Sequence, residues 1–169
     1  ANAQAKNGDF TDARETANKI KNARYKARVL KELATAQANN GDFRDARETA
    51  DRIKDAGEKA HAYLELTTAQ AKKGFLIEAA QTAEEIEESL QKAWALNKLA
   101  TVKVKIGDLP GAIDTFDRAK TVIDGIEDAW FKELALRDLA IAQAKTGYFT
   151  DAMESANGIE GAKYKVEVL

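Results

Sequence analysis

The sequence predicts an all-α fold, a solenoid of about five helix-turn-helix repeats, and three observations carry that prediction. A motif built around Ala-Gln-Ala and a glycine returns at a fixed spacing along the 169 residues. Alanine and apolar residues recur at steps of three and four on both sides of that glycine, the period of an amphipathic helix. The chain contains 1 proline and 10 glycines and is rich in alanine, a composition that favours helix almost throughout.

The repeat sets the architecture. Ala3-Gln4-Ala5-Lys6-Asn7-Gly8-Asp9-Phe10 returns as Ala36-Gln37-Ala38-Asn39-Asn40-Gly41-Asp42-Phe43, then around Gly74 and Gly147, with a diverged copy at Val102 to Leu109. Gly8, Gly41, Gly74 and Gly107 stand 33 residues apart, and Gly147 follows 40 residues later, so one unit carries seven extra residues. Residues 1–169 are thereby read as a single repeat domain with turns near Gly8, Gly41, Gly74, Gly107 and Gly147.

Each unit reads as two antiparallel helices. Ala27, Leu30, Leu33, Ala34 and Ala38 form the buried stripe of a first helix, and Phe43, Ala46, Ala50 and Ile53 that of a second. The glycine sits where a left-handed residue would end the first helix. Asp9, Asp42 and Asp108 follow and can accept from the free N–H groups of the second helix. Pro110 falls in a first helical turn, where its missing N–H costs nothing. A single pair cannot bury its apolar face, so successive pairs must stack, each touching its neighbours.

The seven extra residues, placed within about 120–130, make close to two turns at ~3.6 residues per turn. They are expected to lengthen the second helix of the fourth unit and the first helix of the fifth, with the turn at Asp124-Gly125. The segment Lys120 to Trp130 would then project, with Val122, Ile123, Ile126 and Trp130 on one edge for a partner. At the ends, Ala162 to Leu169 repeats the pattern of Ala23 to Leu30, and Ala1 corresponds to Ala34. The chain therefore reads as a fragment of a longer array, with head-to-tail self-association as the alternative.

The run Ile106-Gly107-Asp108-Leu109-Pro110-Gly111-Ala112-Ile113, followed by Phe116 and Ala119, resembles the tetratricopeptide repeat. Ala13, Ala46, Ala79 and Ala152 fall on that family's second-helix alanine, and Leu33, Leu66, Leu99 and Leu139 on its first-helix leucine. The likeness covers nearly the whole chain. It departs where Ala17, Ala50, Ala83 and Ala156 replace the aromatic residue of the second helix, where Ile20, Ile53, Ile86 and Ile159 replace the final alanine, and in the missing closing proline. The resemblance implies a right-handed α-α superhelix that binds peptides or protein surfaces on a concave face of first helices.

On that expectation, equivalent first-helix positions form ladders. Lys6, Asn39, Lys72, Lys105 and Lys145 lie two residues before each glycine and read either as donors for an acidic partner or as lysines answering the helix dipole. Arg28, His61 and Trp94 form a second row and Thr35, Thr68 and Thr101 a third; Asn97 and Arg137 complete the candidate set. Arg and Trp often dominate binding energies, although Trp94 could equally pack between helices. Tyr25, Trp130, Phe131 and Tyr164 read as inter-repeat core, and the acidic run Glu84-Glu85 with Glu87-Glu88 as a solvated face.

Composition narrows the function. Lys plus Arg number 26 against 28 Asp plus Glu, a formal net charge of −2, which lacks the basic footprint of a nucleic-acid binder. With 0 Cys and 1 His, thiolate chemistry, disulfides and histidine-based metal sites have no material. No cofactor, metal or catalytic motif is expected, and no apolar run is long enough to cross a membrane. A soluble, cytoplasmic scaffold for a protein or peptide, acidic in one reading, is the expectation. Helical-repeat RNA binding is the rival, and an enzyme ranks third.

Overall fold

The structure, a computed structural model, describes residues 10–160. Lys6, Gly8, Asp9 and the stretch 161–169 with Tyr164 lie outside the described residues. Within them every regular element is an α helix: α1 (Phe10–Asn18), α2 (Ala23–Asn40), α3 (Phe43–Asp51), α4 (Ala56–Lys72), α5 (Leu76–Glu84), α6 (Ser89–Lys105), α7 (Leu109–Asp124), α8 (Ala129–Lys145) and α9 (Phe149–Asn157). They fall into two compact units, Ala1–Glu88 and Ser89–Leu169. The first contains α1–α5 and the second α6–α9.

Helix boundaries follow local chemistry. Asn22, Asp55 and Asp128 cap α2, α4 and α8, their side chains accepting from the amides of Tyr25, Glu58 and Phe131. At the other end Gly41, Gly74, Gly107 and Gly147 take φ of 106°, 88°, 86° and 89°, the left-handed conformation expected of them. The next amide then reaches back five residues: Asp42 to Gln37, Phe75 to Gln70, Asp108 to Lys103 and Tyr148 to Gln143, each at 2.9 Å. The expected aspartate caps are split. Asp108 accepts from the Gly111 amide, but Asp42 makes no cap and instead accepts from Asn40 Nδ2 at 2.8 Å.

The core is a stripe of small residues into which each first helix sets a recurrent buried leucine, joined by further leucines such as Leu30, Leu64, Leu96 and Leu136. Leu33, Leu66, Leu99 and Leu139 are fully buried, as are Ala46, Ala79 and Ala119 on the second helices. Each buried leucine contributes roughly 1.5–3 kcal/mol, and the alanines let helix axes approach closely. A polar position also recurs inside each hairpin: Gln37, Gln70, Lys103 and Gln143 lie four residues before the glycine, and Thr49, Thr82, Thr115 and Ser155 eight after it. Ser155 Oγ donates to Gln143 Oε1 at 2.8 Å, and Lys103 Nζ to Thr115 Oγ1 at 3.0 Å. Sequence reading passed over this pair, although the glutamine stands in the repeated Ala-Gln-Ala motif.

The extra residues are placed differently from the expectation. First helices α4, α6 and α8 have 17 residues each. Second helices α3, α5 and α9 have 9, whereas α7 has 16. All seven residues therefore enter α7, and α8 is not lengthened. Nor do Val122, Ile123, Ile126 and Trp130 share an edge: Ile123 is fully buried, Val122 and Ile126 are half-buried, and Trp130 is exposed. A helix cannot add two turns without continuing its buried stripe, and Ile123 continues the stripe of Ala112, Phe116 and Ala119.

Candidate functional site: the exposed face of the first helices

Positions thirteen, ten, six and two before the turn glycine share one face of a helix, because steps of three and four residues return to nearly the same angle. In the first unit this stripe is Arg28, Lys31, Thr35 and Asn39 on α2 and His61, Leu64, Thr68 and Lys72 on α4. In the second it is Trp94, Asn97, Thr101 and Lys105 on α6 and Leu134, Arg137, Ile141 and Lys145 on α8.

The end of the stripe nearest the turn glycine is exposed, whereas at its far end Arg28 is exposed and His61, Trp94 and Leu134 are half-buried. Arg28, Asn39, Lys72, Lys105 and Lys145 are exposed, and Thr35 and His61 are half-buried. Thr68 is buried and its hydroxyl donates to Leu64 O at 2.8 Å; the half-buried Thr101 does the same to Asn97 O at 2.9 Å. These two hydroxyls serve their own helix, so Thr68 and Thr101 do not present free donors. Asn97 is also buried, with an Oδ1 that has no hydrogen-bond partner, and Trp94 is half-buried with its indole nitrogen likewise unpartnered. Arg137 folds onto its neighbour Asp138 at 2.9 Å.

In the first unit α2 and α4 are tied together on this side by Lys31 and Glu58, 2.6 Å apart. Beside that bridge, Asn22, Arg24, Tyr25, Arg28 and Glu58 line a shallow depression at the helix N-termini. Tyr25 is exposed there, as are Trp130 and Phe131 in the second unit, which corrects the expectation that they are core. They stand in the first turn of their helices, ahead of the points where the buried stripes begin at Ala27 and Ala135. Trp130 and Phe131 pack edge-on against each other, ring centroids 4.9 Å apart.

The most elaborate polar network lies elsewhere in the first unit. Arg47 on α3 donates to Glu85 and, at 2.9 Å, to Thr82 Oγ1. Tyr63 on α4 donates to Asp51 Oδ1 at 2.7 Å, and Lys59 Nζ stands 3.6 Å from the same carboxylate. Burial, reinforced by the Asp51 hydrogen bond, holds the Tyr63 hydroxyl well above the ordinary phenol range. The hydrogen bond to Glu85 raises Arg47. Glu85 is thus engaged, while Glu84, Glu87 and Glu88 are exposed.

Among the described residues no group of three or more His, Cys, Asp or Glu is placed to hold a metal ion. None of their helices is long and apolar enough to cross a membrane. No family model matches the chain, and neither a curated protein nor a solved structure matches it.

Proposed function

We propose that this chain is a tetratricopeptide-like array of helix hairpins that holds a peptide or protein segment of a partner on the face formed by its first helices. One observation carries the reading. Arg28, Asn39, Lys72, Lys105 and Lys145 occupy repeated positions of that face and are exposed, and the four cations have no ion-pair partner among the described residues. Cations that stabilise a fold by pairing are satisfied at home, as Arg47 and Lys31 are; exposed donors that recur at equivalent helix positions within each unit suit a ligand with acceptors of its own.

The displaced proton affinities support binding over catalysis. Both belong to side chains held by partners in the first unit, Arg47 by Glu85 and Tyr63 by Asp51; Tyr63, Asp51 and Glu85 line a cavity there, but as a closed set of hydrogen-bonded and ion-paired groups rather than a free acid or base. The near balance of charge weighs against RNA, the rival reading.

Panning a displayed peptide library against the whole chain tests the proposal. Enrichment of acidic peptides, with binding weakened about tenfold by Lys72→Glu or Arg28→Glu, is the expected result. Failure to enrich any peptide, or binding of single-stranded RNA that falls steeply with salt, overturns it.

A further inference from the structure

Hairpins in the first unit meet through three positions: one before the turn glycine, two after it and six after it. There the Asn40 carbonyl accepts from Lys73 Nζ, the Phe43 ring meets Phe75 with centroids 5.2 Å apart, and Arg47 reaches Thr82 and Glu85. The matching positions in the fourth hairpin are Ile106, Leu109 and Ile113. All three are apolar, and they are 60%, 50% and 44% exposed.

The seven extra residues of α7 account for this. The fifth hairpin engages α7 one insertion later than the pattern elsewhere. Phe116, not Leu109, meets Tyr148, ring centroids 5.8 Å apart. Lys120, not Ile113, pairs with Glu154 at 3.3 Å, the counterpart of Arg14 with Glu48. Lys132 Nζ donates to Asp124 O at 3.0 Å, as Lys26 does to Asn18 O at 3.4 Å. The pair α8–α9 is therefore displaced along α7 by seven residues, about 10.5 Å at ~1.5 Å per residue. The Tyr148 hydroxyl reaches back, to Leu109 O at 3.5 Å. The uncovered ledge carries Ile106, Leu109 and Ile113.

We infer that this ledge is a docking site for one acidic amphipathic helix of a partner protein. Its height is close to the ~10–12 Å diameter of a single helix, so one helix laid across it takes the place of the missing hairpin contact. Three adjacent apolar side chains accept the apolar face of such a helix. The charge beside them selects acid: Lys105 adjoins Ile106, Lys98 lies seven residues earlier on the same face of α6, and both are exposed without an ion-pair partner. The two carboxylates flanking the ledge are engaged, Asp108 accepting from the Gly111 amide at 3.1 Å and Asp114 held by Arg118 at 3.6 Å. This inference rests on the scaffold reading and locates a second contact within it.

The test uses the whole chain and a labelled, end-blocked peptide of about 15 residues, with leucines along one helical face and glutamates elsewhere. Fluorescence anisotropy is expected to show binding that Ile113→Asp and Lys105→Glu each weaken about tenfold while Lys19→Glu, at an exposed lysine just after α1, leaves it unchanged. A peptide with lysine for every glutamate should not bind. Ile106→Ser, at the most exposed of the three positions, repeats the test should Ile113→Asp lose its helical spectrum. Binding indifferent to the ledge variants but lost on Lys72→Glu overturns this inference and leaves the scaffold intact. Absence of peptide binding, or a concentration-dependent dimer in light scattering that Ile113→Asp dissociates, overturns it too, the latter making the ledge a self-interface.

Discussion

The Arg47 guanidinium donates to Thr82 Oγ1 at 2.9 Å and pairs with Glu85, so one side chain on α3 holds both α5 and the residue that ends it in the next hairpin. Its carbon also stands 5.8 Å from the Tyr63 ring centroid, over the aromatic face. In the second unit the same task falls to Lys120 and Glu154, displaced by the seven residues that α7 gained. In both places a cation of one second helix is held against a carboxylate in, or at the end of, the following one.

That contact is measurable by a double-mutant cycle of Arg47→Met with Glu85→Gln. Because both side chains are partly solvated, a coupling of about 0.5–1 kcal/mol is expected, shrinking at high salt. A coupling of zero in chemical denaturation would mean the pair is incidental to stacking.

Tyr63 makes stability depend on alkaline pH. Its hydroxyl is held above its ordinary value of about 10 in the folded chain, so between the two values the unfolded chain loses a proton that the folded chain keeps. The contribution is fully present below pH ~10 and is lost as pH rises above it. Tyr63→Phe should flatten that alkaline decline and cost about 1 kcal/mol at neutral pH through the lost bond to Asp51. Parallel stability profiles for the two proteins would refute this.

Gly41 has φ of 106°, a left-handed conformation that an L side chain adopts only with strain, although a Cβ there would meet the Lys73 ammonium at an ordinary 3.4 Å. Gly41→Ala should therefore destabilise the first unit by about 1 kcal/mol or more. Thermal melts of the variant provide the check; an unchanged midpoint would contradict the strain argument.

Two deletions of seven residues separate the register of α7 from its length. Removing 109–115 joins Asp108 to Phe116 and restores the order seen at Asp42-Phe43; removing 121–127 takes out the buried Ile123. The first should melt cooperatively and give up the ledge, whereas the second should be the less stable by about 2 kcal/mol or more, as expected for losing a buried isoleucine. Calorimetry of both decides it.

The helices themselves were legible in the chain because their signals are local. The turn glycines, the alanine stripes of Ala27 to Ala38 and the position of Pro110 each express a preference settled within a few residues. The candidate face was legible only in outline. Arg28, Asn39, Lys72, Lys105 and Lys145 are exposed as a periodic surface stripe requires, but Thr68 and Asn97 on the same stripe are buried. Periodicity gives the direction of a side chain and not the depth of what lies over it.

By itself, then, the sequence determined that the chain is helical, where each helix ends and which residues line its apolar stripe, since backbone conformation and amphipathic period are written residue by residue. The tertiary structure decided how hairpins engage one another. Whether a seven-residue gain is absorbed by one helix or two, which cation meets which carboxylate, and which apolar residues stay uncovered all turn on the height at which one hairpin meets the next. That height is set by packing between residues far apart along the chain, and no local pattern records it.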